Sequence, residues 1–121
     1  PRVTSWLDAQ SVDTLCLTTL TIAEVRYGVA CLSKGRRRDE LNREIEQAVL
    51  PLFGDRIFHF DDAAMREYAE RRARARRQGE AVGDVDALIA SIAAARKCAV
   101  ATRDTAPFEA MGVEVINPFE T

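Results

Sequence analysis

The feature that most constrains this sequence is the alternation of short apolar segments with longer helical ones. Strands are predicted at residues 13–18 (D-T-L-C-L-T), 56–60 (R-I-F-H-F), 98–102 and 113–116. The helical segments are predicted at residues 3–9, 21–32, 36–52, 63–78, 84–97 and 105–111. Strands that alternate with helices indicate a parallel sheet covered by helices, so the predicted fold class is α/β.

Three carboxylates stand near predicted helix starts, and the α/β fold suggests that they meet. Asp104 directly follows the strand that ends at Thr102, Glu24 follows the first strand by about one helical turn, and Asp86 opens a helix. In such folds, ligands bind beyond the carboxyl ends of the strands. Converging carboxylates suit a hard divalent cation such as Mg²⁺ or Mn²⁺. Such a cation serves phosphodiester hydrolysis, because it activates water and stabilises the leaving oxygen.

Each of these acids also has a purely structural interpretation. Glu24 completes a predicted capping box with Thr21, Asp84 is a predicted N-cap that leaves Asp86 favoured by the helix dipole, and Asp104 is a possible cap of the following helix. Asp84 and Asp86 are two positions apart and do not share a helix face, so only Asp86 is expected to be a ligand. From the residues alone, both interpretations stay open.

Composition excludes several other functions. The chain has 121 residues, of which 47% are hydrophobic, which suits one domain with one core. No apolar run approaches the roughly 20 residues of a membrane span, so a cytoplasmic protein is expected. Cys16, Cys31 and Cys98 are isolated, which predicts buried thiols rather than a disulfide framework or a zinc site. The single histidine, His59, lies in a predicted strand, which gives a serine or cysteine catalytic triad little support.

Arginine is concentrated in two clusters. Lys34 and Lys97 are the only lysines among the 17 basic residues, and the arginines gather at residues 36–38 and 71–77. Guanidinium groups bind phosphate or carboxylate in a bidentate manner, which suits an RNA backbone near the acidic site. The alternative is a solvated helix face paired with nearby glutamates. Both interpretations predict that the two clusters are mostly exposed.

Four motifs give the sequence a family resemblance. They are T-I-A-E-V-R-Y-G at 21–28, D-A-L-I-A-S-I-A at 86–93, A-T-R-D at 101–104 and G-V-E-V-I-N-P-F at 112–119. With these motifs in this order, the chain resembles the PIN-domain ribonucleases, and in particular the VapC/FitB-like toxins of bacterial toxin–antitoxin pairs. The resemblance implies a PIN-like three-layer domain, with a parallel sheet flanked by helices. It also implies a metal-dependent endoribonuclease toxin of a type II toxin–antitoxin system.

The resemblance assigns roles to individual residues and implies partners. Glu24 matches the family's second acid, Asp86 the third and Asp104 the fourth, so these residues are expected to be both catalytic and metal-binding, with Mg²⁺ or Mn²⁺ as the cofactor. Many relatives carry Asn at the position of Asp104, and Thr102 matches a hydroxyl residue beside the metal. The implied partners are an RNA substrate, a second copy of the chain in a homodimer, and a cognate antitoxin that covers the site; no membrane is implied.

One departure from the family pattern leads to a further expectation. The family begins with a buried strand that ends in D-T-N or D-T-S and supplies the first metal-binding Asp, whereas this sequence opens at Pro1, in a predicted helix. Residues 1–121 are therefore expected to form a single PIN-like domain that lacks the family's first strand. One alternative is a catalytically impaired PIN-like fragment that only binds an antitoxin or RNA. The other is an unrelated α/β phosphotransfer or phosphatase domain with Asp104 as its nucleophile.

Overall fold

The computed structural model describes residues 2–11 and 14–119, and it divides the chain into two compact units. One unit consists of residues 1–10 and 59–121, and the other of residues 11–58. The helices are α1 (Arg2–Ala9), α2 (Thr19–Ala30), α3 (Arg36–Glu44), α4 (Asp62–Arg77), α5 (Asp84–Arg96) and α6 (Ala106–Ala110). The strands are β1 (Leu17–Thr18), β2 (Ile57–Phe58), β3 (Val100–Ala101) and β4 (Val115–Ile116).

The strands form two parallel pairs, which confirms the parallel pairing predicted from the alternation of elements. In the unit of residues 11–58, β1 pairs with β2. In the other unit, β3 pairs with β4, and the N–H of Thr102 extends this ladder by donating to the Ile116 carbonyl at 2.9 Å. Within the described residues, which do not include residue 13, the strands are shorter than predicted: all four begin later, and β2 and β3 also end earlier. After β2, the N–H of Asp61 donates back to the His59 carbonyl.

Helix α5 is the centre of the unit that contains residues 59–121. It packs against α4 and α6, and its small residues allow close approach of these neighbours. Buried residues lie on several sides of α5, namely Ala87, Ala90, Ser91, Ile92 and Ala93. The core cluster comprises Ala87 and Ala90 of α5 with Phe108 and Met111, and the partly buried Val100 and Val115 of the β3–β4 pair pack against it.

The first turn of α2 differs from the predicted capping box. The N-cap is Thr18, whose Oγ1 accepts a hydrogen bond from the N–H of Thr21 at 3.0 Å. Because the cap lies three residues earlier than predicted, Glu24 is in the second turn of the helix and has no capping role. The predicted capping box of Thr21 and Glu24 is therefore wrong.

Two further caps also differ from prediction. The cap position of α5 is Gly83 rather than Asp84, and that of α6 is Thr105 rather than Asp104. The N-cap of α4 is Asp61, which accepts from the N–H of Ala64 at 3.0 Å. Neither Asp84 nor Asp104 is therefore the N-cap that its sequence context suggested.

The predicted helix over residues 36–52 is helical throughout but irregular. After α3, residues Ile45–Val49 form a π-helical turn and Leu50–Leu52 a 3₁₀ turn. Pro51 has no N–H to donate and its ring crowds the preceding turn, which favours a change in hydrogen-bond pattern there.

The expectation of buried cysteines is wrong for Cys16 and Cys31, which are exposed. Within the described residues, no helix is both long and apolar enough to cross a membrane.

Candidate metal centre

In the unit built around α5, Asp86 and Asp104 are near enough for the charge of one to act on the other. Asp86 is the third residue after the Gly83 cap, so it lies in the first turn of α5, where it is half-buried. Asp104 is exposed and lies three residues beyond the end of β3. The charge of Asp104 acts on Asp86. An acid at a helix start and an acid beyond the carboxyl end of a strand thus interact electrostatically.

The pKa of Asp86 is raised above its ordinary value. Burial is the larger cause, because it disfavours the charged carboxylate, and the negative charge of Asp104 is the second. Both causes oppose a second negative charge at this place. A bound cation would offset both, which is the electrostatic property expected of a site that holds a positive ion.

This raised pKa predicts how the stability of the metal-free protein depends on pH. A carboxyl whose pKa is raised by folding stabilises the fold fully while it is protonated, and this contribution is lost as the pH rises through the folded-state pKa. We therefore expect Asp86→Asn to gain stability relative to the parent as the pH rises through this range, and the gain to level off above it. Thermal melts of both proteins in EDTA over a pH series measure the difference; a difference that does not change with pH would contradict the prediction.

A local turn holds Asp104 at the end of β3. The backbone N–H of Asp104 donates to Thr102 Oγ1 at 3.2 Å, and Thr102 itself continues the pairing with β4. The hydroxyl that the resemblance places beside the metal is therefore engaged in shaping the turn that carries Asp104. Asp104 and Thr102 both lie next to the carboxyl end of the strand, as the topology of α/β folds predicts.

Asp84 has a different neighbour from Asp86, although the two residues are in the same helical turn. Its Oδ1 accepts from Arg72 Nη2 of α4 at 2.7 Å, and its side chain is 85% exposed. The same Arg72 nitrogen also donates to the Val82 carbonyl at 2.9 Å. The two acids therefore serve different contacts, and sequence reasoning did not anticipate the one made by Asp84.

Glu24 lies in the other unit, in the second turn of α2. Its side chain is exposed, and it forms no hydrogen bond or ion pair with residues 2–11 or 14–119 that the structure records. Across those same residues, no three His, Cys, Asp or Glu side chains are grouped as a metal ion would require. The structure thus supplies the pair of Asp86 and Asp104, and the part of Glu24 in a metal site stays a prediction.

The two arginine clusters are largely exposed, as predicted, but two members of the second have specific contacts. Arg71 and Arg72 are half-buried, and Arg71 Nη1 donates to the carbonyls of Met111 and Gly112 at 3.0 and 2.9 Å. A cleft of about 660 Å³ runs along the second half of α4. It is lined by Tyr68, Ala69, Arg72, Ala73, Ala75, Arg76, Arg77, Glu80, Ala81 and Val82.

The side chains of the pair fit a hard divalent cation. Asp86 and Asp104 offer carboxylate oxygens, which are the ligands that Mg²⁺ and Mn²⁺ prefer, and neither a thiol nor an imidazole is needed. Because Asp86 is partly removed from water, its charge is screened less than that of a surface aspartate. The oxygen donors of the pair therefore suit a hard divalent cation better than a soft metal ion.

Comparison with known proteins identifies the fold family. Residues 2–114 match the model of the PIN domain. The plasmid stability protein StbB of Pseudomonas syringae pv. tomato is 48% identical to the chain over 119 residues, which cover 98% of this chain and 86% of StbB. The VapC ribonuclease Y4jK of Sinorhizobium fredii is 44% identical and covers 98% of this chain and 84% of its own length.

A solved structure gives the same result. Toxin FitB of Neisseria gonorrhoeae is 40% identical over 98% of this chain and 85% of FitB. The crystal structure of FitAcB from that organism aligns with a TM-score of 0.96 at 39% identity, over 99% of this chain and 86% of that one. The chain belongs to the PIN domain family. Within it, the chain falls in the group of the VapC and FitB toxins, which confirms the resemblance and the α/β fold class predicted from the sequence.

Proposed function

We propose that this protein is the endoribonuclease toxin of a type II toxin–antitoxin system and that it hydrolyses RNA phosphodiester bonds with the help of Mg²⁺ or Mn²⁺. The observation that carries the proposal is the electrostatic pairing of Asp86 with Asp104 at the carboxyl end of β3, in a chain whose relatives include a VapC ribonuclease. The charge of Asp104 adds to the cost of ionising Asp86, and a cation that neutralises the carboxylates would remove that cost.

In this proposal, Asp86 and Asp104 hold the cation, together with Glu24, which the family resemblance assigns to the same role. When bound, the cation would supply Lewis-acid chemistry, by making water a better nucleophile and by stabilising the charge on the leaving oxygen. The protein's own contribution is to position the carboxylates. Asp86 is fixed in the first turn of a buried helix, and Asp104 is fixed by the hydrogen bond of its N–H to Thr102.

The proposal extends to partners. The family resemblance implies a homodimer and a cognate antitoxin, and an antitoxin that places Arg or Lys against the acids would compensate their charge as a metal does. The exposed Arg76 and Arg77 are candidates for contacts to RNA phosphates, which they would bind without reading sequence. The proposed location of this activity is the cytoplasm, where RNA is available.

A chelation experiment tests the proposed activity. The purified protein is incubated with a pool of random-sequence single-stranded RNA in Mg²⁺ or Mn²⁺, with EDTA, and with EDTA followed by excess metal. We expect cleavage at defined positions, its loss in EDTA and its return with added metal, because the carboxylates need the cation. Cleavage that persists in EDTA would contradict the metal mechanism. Retention of RNA without cleavage in any condition would favour the alternative, a PIN-like module that only binds RNA or an antitoxin.

A further inference from the structure

Arg72 joins α4 to the segment that leads into the candidate metal centre. Its Nη2 donates to the Val82 carbonyl at 2.9 Å and to Asp84 Oδ1 at 2.7 Å, and its Nη1 donates to the Tyr68 hydroxyl. The guanidinium also lies over the Tyr68 ring, 5.4 Å from its centroid. One planar group thus contacts a side chain one turn earlier on its own helix, a loop carbonyl and the first residue of α5.

The segment that Arg72 holds is the start of the helix that carries Asp86. The cap of α5 is Gly83, which has no side chain to accept a hydrogen bond from the first turn. That turn is closed by the N–H of Ala87, which donates to the Gly83 carbonyl at 2.9 Å. The start of α5 thus has no side-chain cap. Arg72 does not cap it, because a guanidinium is only a donor, but it ties down the chain on both sides of Gly83 through the Val82 carbonyl and the Asp84 carboxylate.

Arg72 contacts groups that the fold holds in fixed positions, and most of its side chain is shielded from solvent. The Arg72 side chain is 31% exposed, although Asp84 is 85% exposed, so the Asp84 ion pair alone would contribute little. Tyr68 packs against the core cluster and meets the Phe60 ring edge-on at 5.8 Å. The hydroxyl and the ring that orient Arg72 are therefore fixed, and the guanidinium is presented to Val82 in one orientation.

We propose that Arg72 is a positioning residue for the candidate metal centre: it fixes the Val82–Asp84 segment so that Asp86 is held in the place where it binds the cation. This inference rests on the proposed function. Groups that orient a metal ligand typically change metal affinity or activity 10- to 100-fold when they are removed. Lysine cannot take over this role, because a single ammonium group does not reproduce the planar fork of arginine.

The test compares Arg72→Ala and Arg72→Lys with the control Arg66→Ala. Arg66 lies on the same helix, is 80% exposed and pairs with Asp62 one turn away, so its loss removes a charge without touching the start of α5. We expect both Arg72 variants to bind Mn²⁺ about tenfold more weakly by calorimetry. We also expect kcat for RNA cleavage to fall by a similar factor with little change in KM, and the control to match the parent.

Amide hydrogen exchange provides a measurement that does not depend on activity. In the Arg72 variants, the Ala87 amide should exchange faster, because the turn that it closes opens more often. The Ala64 amide, which is capped by Asp61 at the start of α4, should keep its parental rate. Equal acceleration of both amides would indicate general destabilisation and would overturn the inference.

Two results separate the failure of this inference from failure of the proposed function. If both Arg72 variants keep the parental Mn²⁺ affinity, Arg72 does not position the site, whatever happens to thermal stability, and the proposed function stands. If Asp86→Asn binds Mn²⁺ as tightly as the parent, the metal site itself is misassigned, and the inference about Arg72 falls with it.

Discussion

Replacing Asp86 with Asn is expected to abolish metal-dependent RNA cleavage while leaving the metal-free protein at least as stable as the parent. The substitution removes a carboxylate from the cation and keeps the shape of the side chain. A metal supplies several kcal/mol of transition-state stabilisation, and a loss of about 4 kcal/mol corresponds to roughly a thousandfold in kcat. Stability should not fall, because burial and Asp104 both act against the charged form of Asp86.

The matched control for this experiment is Asp62→Asn. Asp62 is also in the first turn of a helix in the same unit, but it is exposed and pairs with Arg66 at 2.9 Å. It should keep parental cleavage and lose at most about 0.5 kcal/mol of stability. The measurements are single-turnover cleavage of one RNA substrate with Mg²⁺ and thermal melts in EDTA. If Asp86→Asn melts well below the parent and still cleaves RNA, Asp86 has a structural role and does not bind the catalytic metal.

Much of the fold follows from the order of apolar and helical segments. The parallel pairing is predictable because each strand is followed by a helix, and α5 is predictable as a buried helix because D-A-L-I-A-S-I-A has apolar residues all round. Helix starts were harder to predict. Thr18, Thr19 and Thr21 each offer a hydroxyl near the start of α2, and only the backbone conformation shows that Thr18 is the cap.

The site was predictable in part, for reasons that lie in its chemistry. The topology of parallel strands suggested that Asp104 meets other acids at the carboxyl end of β3, and its charge does act on Asp86. The sequence could not exclude capping roles, since a cap and a metal ligand both require a carboxylate near a helix start. The structure excludes the capping role for Asp104, because Thr105 has the cap position of α6.

The role of Arg72 was beyond sequence reasoning for a different reason. An arginine in a run of arginines has the same local sequence whether it is solvated or holds a loop. What distinguishes Arg72 from its neighbours Arg76 and Arg77 is the return of the chain after α4, which brings Val82 and Asp84 against one face of that helix. Contacts of this kind depend on the loop path, which periodicity does not encode.

Truncating Phe108 to Ala is expected to lower the free energy of unfolding by roughly 3–5 kcal/mol. Phe108 is 4% exposed and belongs to the core cluster with Ala87, Ala90 and Met111, so its removal leaves a cavity against the small residues of α5. Since the free energy of unfolding of a small domain is only about 5–15 kcal/mol, this one substitution should remove a large part of it. Urea denaturation at several protein concentrations measures the loss and separates it from any effect of association.

The control for Phe108 is Met65→Ala, at a position on α4 that is 48% exposed. An exposed truncation should cost within about 0.5 kcal/mol, so equal losses in the two variants would contradict the assignment of the core. The effect should also reach the site, because Phe108 belongs to α6, the helix that follows Asp104, and packs against α5, which carries Asp86. When this packing loosens, the two acids should separate and the burial of Asp86 should decrease. The pKa of Asp86 is then expected to move down toward its ordinary value, and an unchanged pKa in the folded variant would show that Phe108 does not hold the pair together.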